Sequence, residues 1–480
     1  CCRLLTECLP CRDVRALPVS NEKMYGGPKV DDNLKKWLPW IAVAAVALIV
    51  IVIIAINSGG DDEASATTTT AGETTTTAVE ETTTTVGEET TTTEAGGGVP
   101  EAGPLGAVTV APGEDIQIRS LEAISGDVAF LGVPNQRGTE LAITDFGPIK
   151  GHDVSIGTPL DDLCSAEGGA AAGQTIASDD KVVGVIGTSC SGAATGAMPL
   201  ISEAGMVMIS PSNTSPALTS DLAGTPGENY SPGYYRTAHN DLFQGEAVAN
   251  FVFNELGLTK AAAIHDGDPY TNGLATAFKN AFEKLGGTIV AFTAVNKGDT
   301  DMTGVLTEVA QNEPEVIYFP IFMPEGGFIA QQVRQVAGLE DVVLIGADGL
   351  LTDNFMELPE TAGMYFSGPN LDYGNNASEI GTTAADFLAA YQAAYGEAPS
   401  AAFWAHSYDA TVLLLSAIDK VAVELDDGSL FIDRQALRDE LTATKGFSGI
   451  IGTLSCDDFG DCGAQRISIV LHEDPTNIEA

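Results

Sequence analysis

Basic residues are scarce in this 480-residue chain. It contains 22 Lys and Arg against 66 Asp and Glu, which gives a formal net charge of −44. A surface so acidic repels phosphate backbones and anionic lipids, so the composition argues against a partner made of nucleic acid. The excess acid is typical of a highly soluble surface, including one suited to a salty habitat, and a role in binding a partner is the alternative.

Histidine is also scarce, and recognisable catalytic motifs are missing. The five histidines lie at positions 152, 239, 265, 406 and 472, and none stands in a known catalytic pattern. The hydroxyl-rich loop GTSCSGAA (187–194) does not spell G-x-S-x-G, because position 191 is Ser rather than Gly. We therefore expect no enzyme activity, no cofactor and no metal site, with a hydrolase as the less favoured alternative.

One long segment has no charge at all. It runs for 20 residues from Trp37 to Ile56, long enough as a helix to cross a hydrocarbon core of about 30 Å. Two lysines precede it and three acids follow it, which predicts a cytoplasmic N-terminus and an extracellular remainder. The sequence after it lacks a small-residue cleavage site and a lipid-attachment cysteine. We therefore expect an uncleaved cell-membrane anchor over 37–56 rather than a cleaved signal peptide.

This segment separates a short N-terminal tail from a Thr-rich region. Residues 1–36 form the cytoplasmic tail, and we expect residues 1–23 to be an upstream reading or a fragment edge, because Met24 makes a natural start. The four cysteines in that tail could bind zinc or carry palmitate, but their spacing is not that of a zinc finger. Residues 57–113, with four TTTT runs and few apolar groups, predict a disordered stalk.

From residue 114 onwards, apolar runs alternate with amphipathic ones. The predicted strands are 116–121, 153–160, 182–187, 206–210, 261–265, 288–295, 316–322 and 342–347, and the predicted helices include 194–205, 242–256 and 271–286. This alternation indicates an α/β fold with parallel sheets covered on both faces. We expect two doubly wound lobes, over 114–236 and 237–368. We expect 369–480 to return between the lobes, with its C-terminal part on the first.

Chemically unusual residues follow the predicted strands. SCSGA follows VVGVIG, SPSNTSP (210–216) follows MVMI, and three further loops contribute an aromatic residue or an acid: HDGDPY (265–270), FMPEGG (322–327) and ADG (347–349). Ligands of open α/β sheets bind at such strand ends. A helix N-terminus with Ser191, Ser212 and Thr214 would suit a small carboxylate. The alternative is that each hydroxyl caps its own helix.

Four cysteines lie in the part of the chain expected outside the cell. An even number in an oxidising compartment indicates disulfides, which involve Cys164, Cys190, Cys456 and Cys462 here. Cys456 and Cys462 are close enough for a local bond. The acids between them do not have the spacing of a calcium loop.

The run from DDLCSAEGG to SNTSPALT (161–219) resembles type I periplasmic substrate-binding proteins, in the leucine/isoleucine/valine branch of ABC importers. The resemblance continues through YYRTAHND (234–241), AAAIHDGDPYTNGLATAF (261–278), VIYFPIF (316–322) and VVLIGADG (342–349), and covers about residues 114–472. It implies two lobes joined by three hinge strands and closing on a ligand. It also implies a disulfide between Cys164 and Cys190.

The resemblance further implies a set of ligand contacts. Ser191, Ser212 and Thr214 would hold the carboxylate of an amino acid, while Tyr270 and Asp348 would close on its ammonium group. The sequence departs from the family pattern at three positions. Leu131 stands where an aromatic residue is usual, with Phe130 adjacent to it; Phe322 replaces a tyrosine; and Asp348 is one methylene shorter than the usual acid. These departures fit the same class of ligand, an amino acid, but they do not identify its side chain.

Together these features predict a membrane-tethered, extracellular solute-binding component of an ABC importer. Its ligand would be a branched-chain amino acid or a similar zwitterion, and its partner a permease in the membrane. A tethered receptor of the same fold, which reports ligand occupancy, is the alternative.

Overall fold

Strands and helices alternate along residues 99–477, the part of the chain that the computed structural model describes. The strands are β1 (Ala107–Val110), β2 (Ile116–Glu122), β3 (Val154–Ser155), β4 (Leu160–Asp161), β5 (Val182–Gly187), β6 (Val207–Ser210), β7 (Tyr234–Arg236), β8 (Lys260–His265), β9 (Thr288–Ala294), β10 (Val316–Tyr318), β11 (Val343–Gly346), β12 (Met364–Pro369), β13 (Val423–Glu424), β14 (Leu430–Asp433), β15 (Phe447–Gly449), β16 (Gly452–Leu454) and β17 (Ile467–His472). The α-helices are α1 (Ala129–Phe146), α2 (Ala166–Ala177), α3 (Ser191–Glu203), α4 (Asp241–Asn250), α5 (Pro269–Leu285), α6 (Thr303–Ala310), α7 (Glu325–Val333), α8 (Asp353–Met356), α9 (Ala384–Tyr395), α10 (Trp404–Val421) and α11 (Arg434–Thr442). A π-helical turn, Phe251–Glu255, continues α4.

The first lobe is built on a parallel sheet. Its strands run in the order β3-β2-β5-β6-β7, and β4 also pairs with β2. Every residue of β5 (VVGVIG) is buried, as expected for a parallel strand covered on both faces. Helix α10 covers one face of this sheet, and α2 and α3 pack on the other side of the lobe.

The second lobe is built on a sheet in the order β17-β12-β11-β10-β8-β9. Five of its strands are parallel, and β17 pairs antiparallel with β12 from Met364 to Pro369. The last strand of the described chain therefore belongs to the second lobe. Our expectation that the C-terminal part lies on the first lobe was wrong for this strand, although α10 and α11 do pack there.

A small antiparallel sheet adds to the first lobe. Strand β1 pairs with β14, and β14 pairs with β13. Val108 and Val110 of β1 are buried in the same core as Ile116 and Val183. The predicted stalk over 57–113 therefore ends earlier than expected. Residues 107–110 fold because their alternating valines have a hydrophobic core to enter.

Three segments carry the chain between the lobes: they follow β7, β12 and β16. The first and third are joined at Arg236, whose main-chain N–H donates to Gly460 O and whose carbonyl accepts from Cys462 N. The guanidinium of Arg236 is completely buried and pairs with Asp461. The bond between Cys456 and Cys462 closes the third segment at this point. The lobes are thus connected through a well-bonded hinge.

Most predicted strands lie where the sequence placed them. The main error is 153–160, which forms two short strands, β3 and β4, separated by an irregular stretch in which Gly157 has a positive φ. The predicted helix over 271–286 begins two residues earlier. Asp268 accepts a hydrogen bond from Tyr270 N, Pro269 fills the first turn, and Gly286 ends the helix with a left-handed backbone.

The predicted anchor over 37–56, the cytoplasmic tail and the stalk as far as residue 98 lie outside the described residues. Within residues 99–477, no helix combines the length and apolar character that a membrane crossing requires.

Candidate functional site

The hydroxyl-rich loop after β5 forms the first-lobe wall of a cavity between the lobes. Ser191 begins α3, and the N-cap position is Cys190, so Ser191 does not cap its own helix. Its Oγ accepts a hydrogen bond from Ser215 N at 3.3 Å. The hydroxyl hydrogen of Ser191 is therefore available to a ligand, beside the unpaired N–H groups and positive dipole end of α3. This arrangement suits an anionic group.

The two other predicted hydroxyls differ from Ser191. Ser212 also lines the cavity, but its Oγ donates to Ser189 O at 3.0 Å and accepts from Asn135 Nδ2 at 3.2 Å. Ser212 therefore presents a lone pair to the cavity rather than a free donor. Thr214 is completely buried and is not among the residues that line the cavity.

The second lobe supplies two rings. Tyr270 lies in the first turn of α5, and its ring centroid is 5.1 Å from that of Phe322, which follows β10. The Tyr270 hydroxyl accepts from Gly349 N at 3.1 Å. Both rings are buried, so they shield the cavity from solvent.

Asp348, which follows β11, is the charged group of the cavity. Its Oδ1 accepts from Gln244 Nε2 at 2.7 Å, and Gln244 also donates to Ser367 Oγ at 3.0 Å. Burial raises the pKa of Asp348 to about 6, while hydrogen bonds that include those from Gln244 and Tyr270 oppose this rise. Asp348 is therefore ionised at neutral pH in an apolar setting, as a partner for a cationic group should be.

A second acid, Asp241, lies close to Asp348. It is completely buried at the start of α4, and neither of its oxygens has a hydrogen bond of good geometry within the described chain. Burial raises its pKa well above the usual range, and the charge of Asp348 raises it further, while the Thr214 hydroxyl and Arg236 lower it less. Burial and the neighbouring carboxylate of Asp348 thus both disfavour the ionised form of Asp241.

Residues of both lobes line the cavity. Its lining combines hydroxyls from the first lobe, an acid from the second and an apolar remainder: Leu131, Ser189, Ser191, Ser212, Tyr270, Phe322, Asp348, Gly349 and Phe403. The structure thus brings together five of the six predicted ligand-binding residues. Of the two candidates near the end of β2, Leu131 lines the cavity and Phe130 does not.

Comparison with known proteins agrees with this architecture. A family model described as periplasmic binding protein matches residues 115–461. The chain belongs to the type I periplasmic binding proteins.

Relatives of this periplasmic binding protein include Leu/Ile/Val-binding protein homolog 3 of Brucella melitensis. It is 30% identical over 365 residues, which are 75% of this chain and 92% of the relative. Leu/Ile/Val-binding protein BraC3 of Rhizobium johnstonii is 28% identical, and the match covers 75% of this chain and 92% of BraC3. Among solved structures, the Streptococcus pneumoniae substrate-binding protein LivJ in complex with isoleucine is 25% identical and has a TM-score of 0.60. The match covers 75% of this chain and 100% of LivJ. A leucine-binding protein of Thermotoga maritima has the same fold, with a TM-score of 0.64 at 24% identity. That match covers 75% of this chain and 96% of the Thermotoga protein.

Both disulfides of this periplasmic binding protein connect the predicted pairs, Cys164 with Cys190 and Cys456 with Cys462. The first fixes the residue that precedes Ser191. No group of side chains suited to a metal ion occurs among the described residues. Within the same residues, the hydrogen-bond partner of the Ser191 hydroxyl is Ser215 N, and no histidine hydrogen-bonds it.

Sequence reasoning missed a buried acid beneath the first-lobe wall of the cavity. Glu122, the last residue of β2, accepts from Ser189 Oγ at 2.6 Å, and Ser189 itself lines the cavity. Burial raises the pKa of Glu122 well above the usual range. Burial likewise raises the pKa of Asp162 to about 7, although it accepts from Ser189 N, Cys164 N and Cys190 N. In the sequence, the feature that could have indicated a role for Glu122 is its position at the end of a strand.

Proposed function

We propose that this periplasmic binding protein captures a free amino acid, a branched-chain one or a similar zwitterion, as the solute-binding component of an ABC importer. The observation that carries the proposal is the polarity of the cavity. One wall offers the Ser191 hydroxyl and the N-terminus of α3, and the opposite wall offers the buried carboxylate of Asp348. An α-amino acid has the matching pair of opposite charges a short distance apart.

Each charged end of such a ligand has a partner from a different lobe. Its carboxylate would accept from Ser191 and from N–H groups of the first turn of α3, and its ammonium would donate to Asp348. Hydrogen bonds to charged groups contribute roughly 1.5–3 kcal/mol each. Because both contacts need both lobes, ligand binding favours the closed arrangement.

The rest of the lining indicates an apolar ligand side chain. Leu131, Phe322 and Phe403 contribute hydrocarbon or aromatic surface to the cavity. Relatives are named for binding Leu, Ile and Val, and one solved structure holds isoleucine. We propose the same ligand class for this chain.

The proposal includes the membrane tether. The uncharged segment over 37–56 would hold the binding lobes outside the cell, and the Thr-rich stalk would keep them near a permease. Tethering raises the effective concentration of a binding module near its partner. Membership of a solute-binding family supports capture rather than catalysis as the role of the cavity.

Calorimetric titration of the full chain with a panel of amino acids tests the proposal. We expect measurable heat with L-leucine, L-isoleucine or L-valine, and much weaker binding of L-lysine and L-glutamate, whose extra charges would be buried in an apolar pocket. Binding of no panel member would contradict the proposal. Preferential binding of a charged amino acid would contradict the apolar assignment of the side chain.

The affinity is also expected to depend on pH. Asp348 has a raised pKa of about 6, so it loses its charge as the pH falls through 6, at a higher pH than an exposed aspartate would. Affinity for L-leucine should therefore be steady above about pH 7 and fall by up to tenfold per pH unit below pH 6.

The matched control for this pH dependence is 4-methylpentanoate, which is leucine without its amino group. Glu122 and Asp162 of the first lobe affect both ligands, so the ratio of the two affinities reports on the acids near the amino end, Asp348 and its neighbour Asp241. The comparison runs from pH 8 to pH 6, where the carboxyl group of both ligands is ionised, and a constant ratio over this range would contradict a role for Asp348 in binding the ammonium group.

A further inference from the structure

A lysine of the second lobe reaches across the mouth of the cavity to the first lobe. Lys297, which follows β9, donates from Nζ to the main-chain carbonyl of Cys164 at 3.1 Å. The same Nζ lies 3.6 Å from Asp268 Oδ2 and 6.0 Å from the centroid of the Phe322 ring. Phe322 lines the inner cavity and also an outer groove that contains Lys297 and Cys164. Lys297 therefore lies over the ring that separates the cavity from solvent.

The segment that carries Lys297 is held firmly in the second lobe. Asp299 accepts from both the main-chain N–H and the side-chain amide of Asn296, each at 2.9 Å. Gly298 has a left-handed backbone with φ +90°, and its N–H donates to Glu325 Oε1 at 2.6 Å. These bonds fix the main chain on both sides of Lys297, so only its side chain has to be ordered when it reaches the first lobe.

The accepting carbonyl is equally well fixed. Cys164 is bonded to Cys190, and its N–H donates to the buried carboxylate of Asp162 at 2.7 Å. Its backbone has a positive φ of 45°. Because Cys190 directly precedes Ser191, the disulfide connects the carbonyl that Lys297 contacts to the anion-binding end of the cavity.

The neighbouring acid explains why a cation is suited to this position. Asp268 is buried, with 4% of its side chain exposed, and it packs against Gly192 of the first lobe. Burial raises the pKa of Asp268, and Lys297 is the largest influence that opposes this rise. The positive charge of Lys297 thus partly offsets the negative charge of Asp268 at the contact between the lobes. The same ammonium group also hydrogen-bonds the first lobe directly.

We propose that Lys297 is a latch, a positioning residue that stabilises the closed arrangement of the lobes and lengthens the time for which ligand stays bound. Its bond to Cys164 joins two rigid segments on different lobes, so the bond breaks whenever the lobes separate. The effect on ligand release rests on the function proposed above, whereas the effect on closure does not. About half of the lysine side chain is exposed, so a modest effect is expected.

The test compares Lys297→Met with wild type in the full chain that carries one fluorophore on each lobe. Energy transfer reports the distance between the lobes with and without L-leucine, and stopped-flow displacement reports ligand release. We expect the variant to shift towards separated lobes in the absence of ligand, and to release L-leucine about three- to tenfold faster with little change in the association rate. Lys297→Arg, which keeps the charge and the donors, should restore most of both properties.

Lys260→Met is the matched control. It removes the same charge from the same lobe, at an exposed side chain whose nearest acid, Glu313, is 3.9 Å away. The latch is contradicted if Lys297→Met changes neither closure nor release, or if Lys260→Met produces an equal change. If wild type binds no L-leucine, the function proposed above fails, and the lobe distance without ligand still decides on the latch.

Discussion

Replacement of Asp348 with asparagine is expected to weaken L-leucine binding by about a hundredfold or more. Asparagine keeps the shape of the side chain and an oxygen that Gln244 can contact, but it removes the charge that faces the ammonium group. Loss of one partner from a buried charge pair typically costs about 2–5 kcal/mol, and a hundredfold change corresponds to about 2.7 kcal/mol. Calorimetry of the full-length variant measures the loss.

Asp341→Asn supplies the control for this substitution. Asp341 belongs to the same lobe, lies just before β11 and is exposed, so its replacement makes the same change in net charge away from the cavity. We expect unchanged affinity in this variant. An Asp348→Asn protein that folds normally and binds L-leucine as tightly as wild type would contradict the role assigned to Asp348.

Replacement of Gly192 with alanine is expected to oppose closure and to reduce affinity by about tenfold or more. A Cβ at this position would lie 2.2 Å from Asp268 Oδ2 of the other lobe. Asp268 has little freedom to move, because it is buried and its Oδ1 accepts from Tyr270 N at 2.9 Å. Overpacking of this kind costs about 1–3 kcal/mol, and here the cost falls on the closed arrangement.

The melting temperature of the Gly192→Ala protein without ligand separates this effect from misfolding. Alanine favours helix more than glycine does, so the first lobe should not be destabilised. Gly304→Ala is the matched control: Gly304 is likewise the second residue of its helix, and no atom lies within 4 Å of its added Cβ. Equal affinity of Gly192→Ala and wild type would show that the lobes do not need to approach here.

Much of the fold could be predicted because its central strands are continuous apolar runs. VVGVIG forms β5 over the predicted residues, since only burial on both faces makes such a run stable. The prediction of one strand over 153–160 was wrong because the apolar pattern there is weak and Gly157, with its positive φ, interrupts the extended backbone. Residues 107–110 were assigned to the stalk because their partner, β14, lies more than 300 residues away in sequence.

The parts of the site at strand ends could also be predicted, because parallel topology gathers those ends. Ser191, Ser212 and Asp348 were found in this way, and the structure places all three around one cavity. Phe403 could not be found, because it reaches the cavity only through the return of the chain into α10. The bond of Gln244 to Asp348 and the exclusion of Thr214 from the lining depend on packing that no local pattern encodes.

A thermodynamic cycle on one pair of groups tests whether the two lobes grip opposite ends of an amino acid. Wild type and Asp348→Asn are each titrated with L-leucine and with 4-methylpentanoate. We predict that the substitution weakens L-leucine binding strongly and leaves binding of 4-methylpentanoate unchanged or tighter, because that ligand has no ammonium group to pair with the buried charge of Asp348. An equal loss with both ligands would show that Asp348 does not contact the amino end, and the proposed mode of capture would be wrong.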